Sequence, residues 1–518
     1  MADDGVRALI AEAGVDARRL RAALALLSDG RWWTLGDLVR ESATSRRTIE
    51  ALLRELPDLE HSGDRFRLPP APVEAPPSPA DPVTHLLPAH AQVVEQMAEL
   101  IAKAPRGRHV LDHVAATADT VVRRALLLGT RFSLDGARLL CVGDHDLTSL
   151  AAAMVHPGLE VTVVDIDDRI LGYIAAGAAR LGVSVHTRWA DLRLGLPPAA
   201  RAYADLAITD PPYTAEGVGL FVARAAEGLR DRDRGRVLLA YGVSERTPAL
   251  ALKVQHALSA LNLVYEAMYP DFNRYHGAEA IGSAADMYVL RPTTKTWPAV
   301  SARVDRLATA IYTKGPQSTE AAAPAPGAPG AAGIEVAGGT AEVLVGEWPG
   351  DLAPRVPRAR LSTWLAKPYA AHPERVAIAL PAGLEAALPR LLLATRAAYA
   401  RVEPAAPLDD LPGLADLLSP VYAISAGDSG GSVLAERVAV PGDEPGRVLR
   451  RILDNAHGKV ANTWREALIA ARAGLTKRQA RALIAETAPW AADATPLDLP
   501  LDRLRGLRAA IAATLSAA

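Results

Sequence analysis

Three short apolar runs, each ending in carboxylates, limit what this chain can fold into. They are Arg138-Leu-Leu-Cys-Val-Gly-Asp-His-Asp-Leu-Thr148, Val161-Thr-Val-Val-Asp-Ile-Asp-Asp168 and Asp205-Leu-Ala-Ile-Thr-Asp-Pro-Pro-Tyr213. In an open α/β sheet, ligands bind outside the carboxyl ends of parallel strands. Three acidic strand ends therefore face one crevice. Such a crevice suits a nucleotide-like ligand with hydroxyls and a positive charge, as an S-adenosyl cofactor has.

The turn after the first run is Gly143-Asp-His-Asp146, and no Gly-x-Gly-x-x-Gly loop is present. A phosphate cradle needs close glycine backbones, and carboxylates there would repel a pyrophosphate. NAD and ATP are disfavoured, whereas a sulfonium cofactor carries no phosphate. Asp165 follows Gly143 by 22 residues, near the spacing of the acid that holds ribose hydroxyls. Its alternative is a turn or helix cap. The third strand, Ser184–Arg188, leads to Asp191, placed for an adenine amino group or, equally, a cap. The expected donor contacts are Gly143, Asp144, Asp165, Asp191 and Pro211.

Residues 141–220 hold eight Asp and two Glu against five Arg and no Lys, a balance of −5. A cleft lined by one sign of charge concentrates ligands of the other, which points to a cationic substrate such as a polyamine. Asp146 and Asp210 are candidates for desolvating an acceptor amine and taking its proton, with His145 a third. Tyr213, Glu216 and Glu279 are candidate substrate contacts. Tyr241 could border the donor site, and Asn273–His276 could close over the acceptor. No metal site is expected.

The 518 residues suffice for about three domains at roughly 150 residues each. The net charge of −2 argues against coating nucleic acid. No apolar run of about 18 residues is present, so no membrane span is expected. Met-Ala-Asp-Asp-Gly is no signal peptide. Cys141 is the only cysteine, which suits a reducing cytoplasm and reads as core filler.

Residues 1–68 read as a winged helix: helical spacing over Ala8–Leu27 and Leu35–Leu56, Ser45 as a cap, and a hairpin around Ser62-Gly-Asp64. Arg46 and Arg47 would sit on its recognition helix, but the basic patch is shallow, so a docking or dimerisation role is favoured over DNA contact. Residues 69–84 read as a stiff Pro/Ala-rich linker and 315–340 as a disordered one. Between them, 85–297 form the catalytic unit. Beyond lies an α/β stretch, 341–518, carried by Ala341–Val345, Val376–Leu380, Leu384–Ala400 and Val433–Val440. A helical tail runs from Arg447, and Thr476 caps one helix. No strict internal repeat is visible. Gly427-Asp-Ser-Gly-Gly431 matches the string around a protease nucleophile, but no suitable scaffold precedes it, and a Gly-rich turn is the better reading.

The chain resembles the bis(aminopropyl)spermidine synthases, the branched-chain polyamine synthase family. The resemblance runs from the winged helix to about Leu290. It rests on Leu111-Asp-His-Val-Ala-Ala-Thr-Ala-Asp-Thr-Val-Val-Arg-Arg-Ala-Leu126, Gly143-Asp-His-Asp-Leu-Thr-Ser149, Val164-Asp-Ile-Asp-Asp-Arg169, Ala190-Asp-Leu-Arg193 and Asp210-Pro-Pro212. It implies a winged helix, then a Rossmann-like catalytic domain that is often dimeric, with an additional mainly helical α/β carboxyl-terminal domain here. It implies transfer of aminopropyl groups from decarboxylated S-adenosylmethionine to a polyamine nitrogen, with Asp165 on the ribose and Asp210 as catalytic acid–base. Two positions depart from the family: His145 replaces the middle Asp of Gly-Asp-Asp-Asp, and Tyr213 stands where Glu is usual. Asp210-Pro-Pro-Tyr213 is also the tetrapeptide of amino-methyltransferases, which use S-adenosylmethionine on flipped bases. A third reading is a non-catalytic winged-helix regulator.

Overall fold

The computed structural model describes residues 2–73, 76, 81–319, 331–427, 431–472 and 474–518. Residues 428–430 of the Gly427–Gly431 string and parts of the Pro/Ala-rich stretches, 74–75, 77–80 and 320–330, fall outside these residues.

The amino-terminal unit has four helices, Ala2–Ala13, Ala17–Leu27, Leu35–Ser42 and Arg46–Glu55. A three-stranded sheet joins them: β1 (Trp33–Thr34), β2 (Glu60–Ser62) and β3 (Arg65–Arg67), in the order β1-β3-β2. The expected single helix over Ala8–Leu27 is broken at Gly14, whose φ of +54° is left-handed and cannot continue a right-handed helix. Val6, Leu20, Leu27, Leu38, Ile49 and Leu52 form its core. The Ser45 hydroxyl does not cap its own helix; it bonds Thr48 Oγ1 and Glu245 Oε1, both at 2.8 Å.

The central sheet contains β4 (Arg138–Val142), β5 (Glu160–Asp165), β6 (Val185–Trp189), β7 (Leu206–Thr209), β8 (Arg236–Tyr241), β9 (Val264–Arg274) and β10 (Ala284–Arg291). Their order is β6-β5-β4-β7-β8-β10-β9. The first five run parallel and β10 is antiparallel to both its neighbours. Alternate side chains serve opposite faces. Leu139, Cys141, Val161 and Val163 pack with helices Ala118–Arg131, Thr148–Val155 and Asp168–Leu181. Leu140, Val142 and Val164 pack with Ala215–Glu227 and Pro248–Ala260. Helices on both faces leave the carboxyl ends of the parallel strands as the open edge.

The carboxyl-terminal unit opens with the hairpin β11 (Glu335–Val336) and β12 (Gly339–Thr340). This corrects the expectation of disorder up to residue 340. Ile334 and Val336 bury against Ala341, Leu344 and Trp348, so apolar side chains fix the end of the stretch. Six further strands follow: β13 (Val343–Val345), β14 (Arg358–Ala359), β15 (Arg375–Leu380), β16 (Tyr399–Pro404), β17 (Tyr422–Ala426) and β18 (Val433–Arg437). Their order is β14-β13-β15-β16-β18-β17, parallel through β16, with β18 antiparallel to both neighbours. Without β6, the central sheet reads β5-β4-β7-β8-β10-β9. The second sheet repeats that order and those directions strand for strand. Among the described residues, no helix is long and apolar enough to cross a membrane.

Candidate active site

The site forms where β4, β5 and β7 end. Gly143 leaves β4 with a φ of +73°, a left-handed turn that glycine makes without strain. Its N–H donates to Val164 O at 2.8 Å, which ties the turn to β5. The next N–H, of Asp144, donates to Asp165 Oδ2 at 2.9 Å, and Asp167 N–H donates to Asp165 Oδ1 at 2.8 Å. Asp165 therefore holds both turns in register while standing at the end of β5. Asp144 accepts the Ser149 N–H at the start of the next helix. Burial pushes the Asp144 carboxyl up to about 8, with Asp146 and Asp165 adding to the rise. Burial also raises Asp165, against the two backbone donors. Burial thus biases both Asp144 and Asp165 toward the neutral form.

A buried cation organises the other side. Arg124, inside helix Ala118–Arg131, is 2% exposed in its side chain. Its Nη1 donates to Asp146 Oδ2 at 2.7 Å and Thr148 Oγ1 at 3.1 Å. Its Nη2 donates to Asp210 Oδ2 at 2.6 Å, and its Nε to Asn273 Oδ1 at 2.8 Å. Burial alone would push the guanidinium toward neutrality; Asp146 and Asp210 outweigh it and hold its pKa above the ordinary range. Asp146 Oδ1 accepts the Ala116 N–H at 2.9 Å, fixing the lead-in segment.

Asp210 is the point of convergence. Its Oδ2 also accepts from Tyr275 OH at 2.7 Å, and its Oδ1 accepts from Tyr213 OH at 3.0 Å. Burial pushes Asp210 up to about 7, with Arg124 pulling down and Asp146 pushing further up. The Tyr213 ring meets Tyr241 edge-on at 5.3 Å. Tyr241 thus packs behind the loop, and Pro211 is buried within it. His145 stacks on His113 with ring centroids 4.4 Å apart. Burial lowers both imidazoles to about 4, so both are neutral at pH 7. Among the described residues, the buried His145 Nδ1 has no hydrogen-bond partner.

Three expected contacts are already engaged elsewhere. Asp191 is gripped by Arg193, Nε to Oδ1 at 2.8 Å and Nη2 to Oδ2 at 2.6 Å. Glu216 holds Arg303 at 2.9 Å, and Glu279 holds Arg46 at 2.5 Å. Neither glutamate offers a free charge to an amine. The local balance of −5 also omitted Arg124, which lies outside the counted window. Arg124, His113 and the role of Tyr275 are not among the site residues expected from the sequence. For Arg124 a signal existed: an arginine amid Val121, Val122, Ala125, Leu127 and Leu128, all fully buried, is seldom solvated.

Residues 92–314 match the family described as the branched-chain polyamine synthase A C-terminal domain. An uncharacterized protein of Methanocaldococcus jannaschii is 38% identical over 174 residues, 33% of this chain and 43% of that one. The N(4)-bis(aminopropyl)spermidine synthase of the same organism is 29% identical over 35% of this chain and 53% of its own. That of Thermococcus kodakarensis is 33% identical over 27% and 41%. The chain thus spans about half or less of the length of these relatives. Among solved structures, the branched-chain polyamine synthase from Thermus thermophilus, in complex with N4-aminopropylspermidine and 5'-methylthioadenosine, is 19% identical with a TM-score of 0.41, over 56% of this chain and 92% of its own. The matched stretch carries the turn at Gly143, the Asp210 loop and the arginine that joins them, so the likeness to the branched-chain polyamine synthases lies in the central unit, residues 92–314.

Proposed function

We propose that this chain transfers an aminopropyl group from decarboxylated S-adenosylmethionine to an amine of a polyamine such as spermidine. The observation that carries the reading is the Asp210 carboxylate, raised toward neutrality at the rim of an S-adenosyl-type crevice in a unit that matches this family. The named activity of the curated relatives agrees with it.

In this reading the ribose sits at Asp165 and the adenine near Asp191, with Gly143, Asp144 and Pro211 bordering the donor. The neutral acceptor amine attacks the carbon attached to sulfur. The C–N bond forms as the C–S bond breaks, and the sulfur keeps the electron pair as the neutral thioether of methylthioadenosine. The new ammonium gives its proton to Asp210. Oδ2 already accepts from Arg124 and Tyr275, so Oδ1, which accepts only from Tyr213, is the atom with room for that proton. A general base works best with a pKa near the working pH. Alignment of donor and amine supplies much of the rest, since the sulfonium carbon is already activated. Arg124 offsets one carboxylate charge, so the site discriminates by position more than by bulk acidity. The reading carries with it a homodimer and a cytoplasmic setting, which the family resemblance and the lone buried Cys141 support.

Mass spectrometry of products from purified protein, with each donor and a panel of amines, tests this. An aminopropylated amine with stoichiometric methylthioadenosine is the expected result. A methylated nucleic-acid amine with S-adenosylmethionine would instead install the amino-methyltransferase that Asp210-Pro-Pro-Tyr213 also fits.

A further inference from the structure

We infer that residues 341–518 are a second copy of the central fold that has lost its nucleoside site and now positions the donor site of the first through Arg390. The inference rests on the donor reading above.

The copy is visible in connectivity. Helix Leu361–Ala366 follows β14 as Asp168–Leu181 follows β5. Leu388–Leu393 follows β15 as Ala215–Glu227 follows β7, and Leu411–Leu418 follows β16 as Pro248–Ala260 follows β8. Each unit then closes with an antiparallel pair of strands. Strand register places the signature positions. Val142 pairs with Val164 and Thr209, and Val345 pairs with Ala359 and Ile378. Gly346, with a φ of +90°, therefore matches Gly143. Arg360 stands where Asp165 does, and Ala379 where Asp210 does.

The second crevice is filled, and it lacks the carboxylates that match Asp165 and Asp210. Trp348, at the position of His145, is buried and donates from Nε1 to Val345 O at 2.9 Å. β15 runs on through Ala379 and Leu380, paired with Glu403 and Pro404. A side-chain carbon on Gly346 would lie 2.3 Å from Ala379 O. The turn at Gly346 thus packs directly against the backbone of β15.

What the copy retains is a grip on the donor rim. Arg390, 1% exposed in its side chain, donates from Nη2 to Asp168 Oδ1 at 3.2 Å and to Leu499 O at 3.0 Å. Its guanidinium lies 3.8 Å from the Trp189 ring centroid. Trp189 in turn donates from Nε1 to Ile166 O at 3.0 Å, and its backbone N–H donates to Asp498 O at 2.8 Å. Asp168 and Ile166 flank Asp167, whose N–H orients Asp165. A cation from the second unit thus clamps both sides of the turn that aims the ribose-holding carboxylate. Gly383 O, from the same unit, accepts from Arg193 at 2.6 Å while Arg193 holds Asp191. Both donor-side acids are buttressed from residues 341–518.

Titration calorimetry of the full chain with methylthioadenosine, paired with steady-state kinetics, tests the inference. One nucleoside per chain is expected, and two would overturn the loss of the second site. Arg390→Met should raise the nucleoside Kd and the donor KM by roughly ten- to a hundredfold, the effect of losing a hydrogen bond to a charged group. The amine KM, and kcat at saturating donor, should stay near native, a split that mere destabilisation does not produce. Arg390→Lys keeps the charge but loses the planar fork; it should fall between, and it serves if the Met variant does not fold. Native Kd and donor KM in a folded Arg390 variant would overturn the inference while leaving the donor reading standing. A wild-type chain that binds no methylthioadenosine would remove the donor reading itself.

Discussion

Arg124 Nη2 stands 2.6 Å from Asp210 Oδ2, with the arginine side chain 2% exposed and the aspartate 17%. The cation has no solvent of its own, while the carboxylate keeps an opening to the crevice. Arg124 also holds Asp146 at 2.7 Å, so one buried positive charge joins the ends of β4 and β7.

Removing that charge should therefore be costly. Arg124→Met keeps much of the bulk but leaves two buried carboxylates without their cation. Breaking a buried ion pair by deleting one partner costs about 3–5 kcal/mol. The urea midpoint at pH 7.5 should fall accordingly, and the loss should shrink at acid pH, where the carboxyl groups take up protons. A midpoint that does not move would make Arg124 a bystander.

The central sheet was legible because its strands are buried on both faces and end at Gly, Asp or Pro. The apolar runs that begin at Arg138, Val161 and Asp205 form β4, β5 and β7, and Ser184–Arg188 lies within one residue of β6 at either end. β9 was missed. It lies at the sheet edge, with Val264, Tyr265 and Met268 exposed, so its pattern does not mark an inward face. Arg124 escaped because charge was counted along a window of sequence, while the site is assembled from a helix before it. The repeated topology escaped for a related reason. Strand order is a property of pairing, and Val345-Gly346-Glu347-Trp348 shares only its first two residue types with Val142-Gly143-Asp144-His145.

Asp144 makes a prediction about pH. Its folded pKa, about 8, lies above the 3.8 of the unfolded chain. Between those values the folded state binds more protons than the unfolded one, so stability falls as pH rises. His113 and His145, lowered to about 4, act in the opposite direction only below about 6.5. The window free of both imidazoles is pH 6.5–8, where Asp210, raised to about 7, acts in the same direction as Asp144, so the comparison with Asp144→Asn isolates Asp144. Wild type should lose stability across it, and Asp144→Asn should lose less, by up to the equivalent of one proton. Urea melts at the two pH values check this; parallel slopes for the two proteins would contradict the raised pKa.

The amino-terminal unit makes another. A groove-reading helix presents its first residues to base edges. Here helix Arg46–Glu55 turns that end onto the central unit: Arg46 meets Glu279 at 2.5 Å, and Thr48 meets Glu245 at 2.9 Å. A DNA duplex should leave the melting temperature unchanged. Spermidine with methylthioadenosine should raise it, because a ligand that binds only the folded state stabilises it. The reverse pattern, read by differential scanning fluorimetry at low salt, would favour a nucleic-acid substrate.

Asp210 carries the last prediction. Asp210→Asn keeps the shape of the loop and can still bond Tyr213 and Tyr275, but it cannot take the proton. Donor binding should stay nearly intact, since the ribose contacts lie on β5. Turnover should fall by roughly 10²–10⁴, the usual contribution of a positioned acid–base group. Rapid-quench assays at saturating donor and amine isolate the transfer step from product release. Asp146→Asn separates base from anchor: with Oδ2 committed to Arg124 and Oδ1 to Ala116 N–H, it should act mainly on the apparent Michaelis constant. The pH profile adds an independent readout. In wild type the rate should rise through about pH 7 as Asp210 loses its proton. Tyr275→Phe removes a hydrogen bond that favours the charged carboxylate, so the midpoint should move to higher pH. If Asp210→Asn keeps a near-native single-turnover rate while Asp146→Asn or His145→Ala loses it, the base stands on β4 and not on β7.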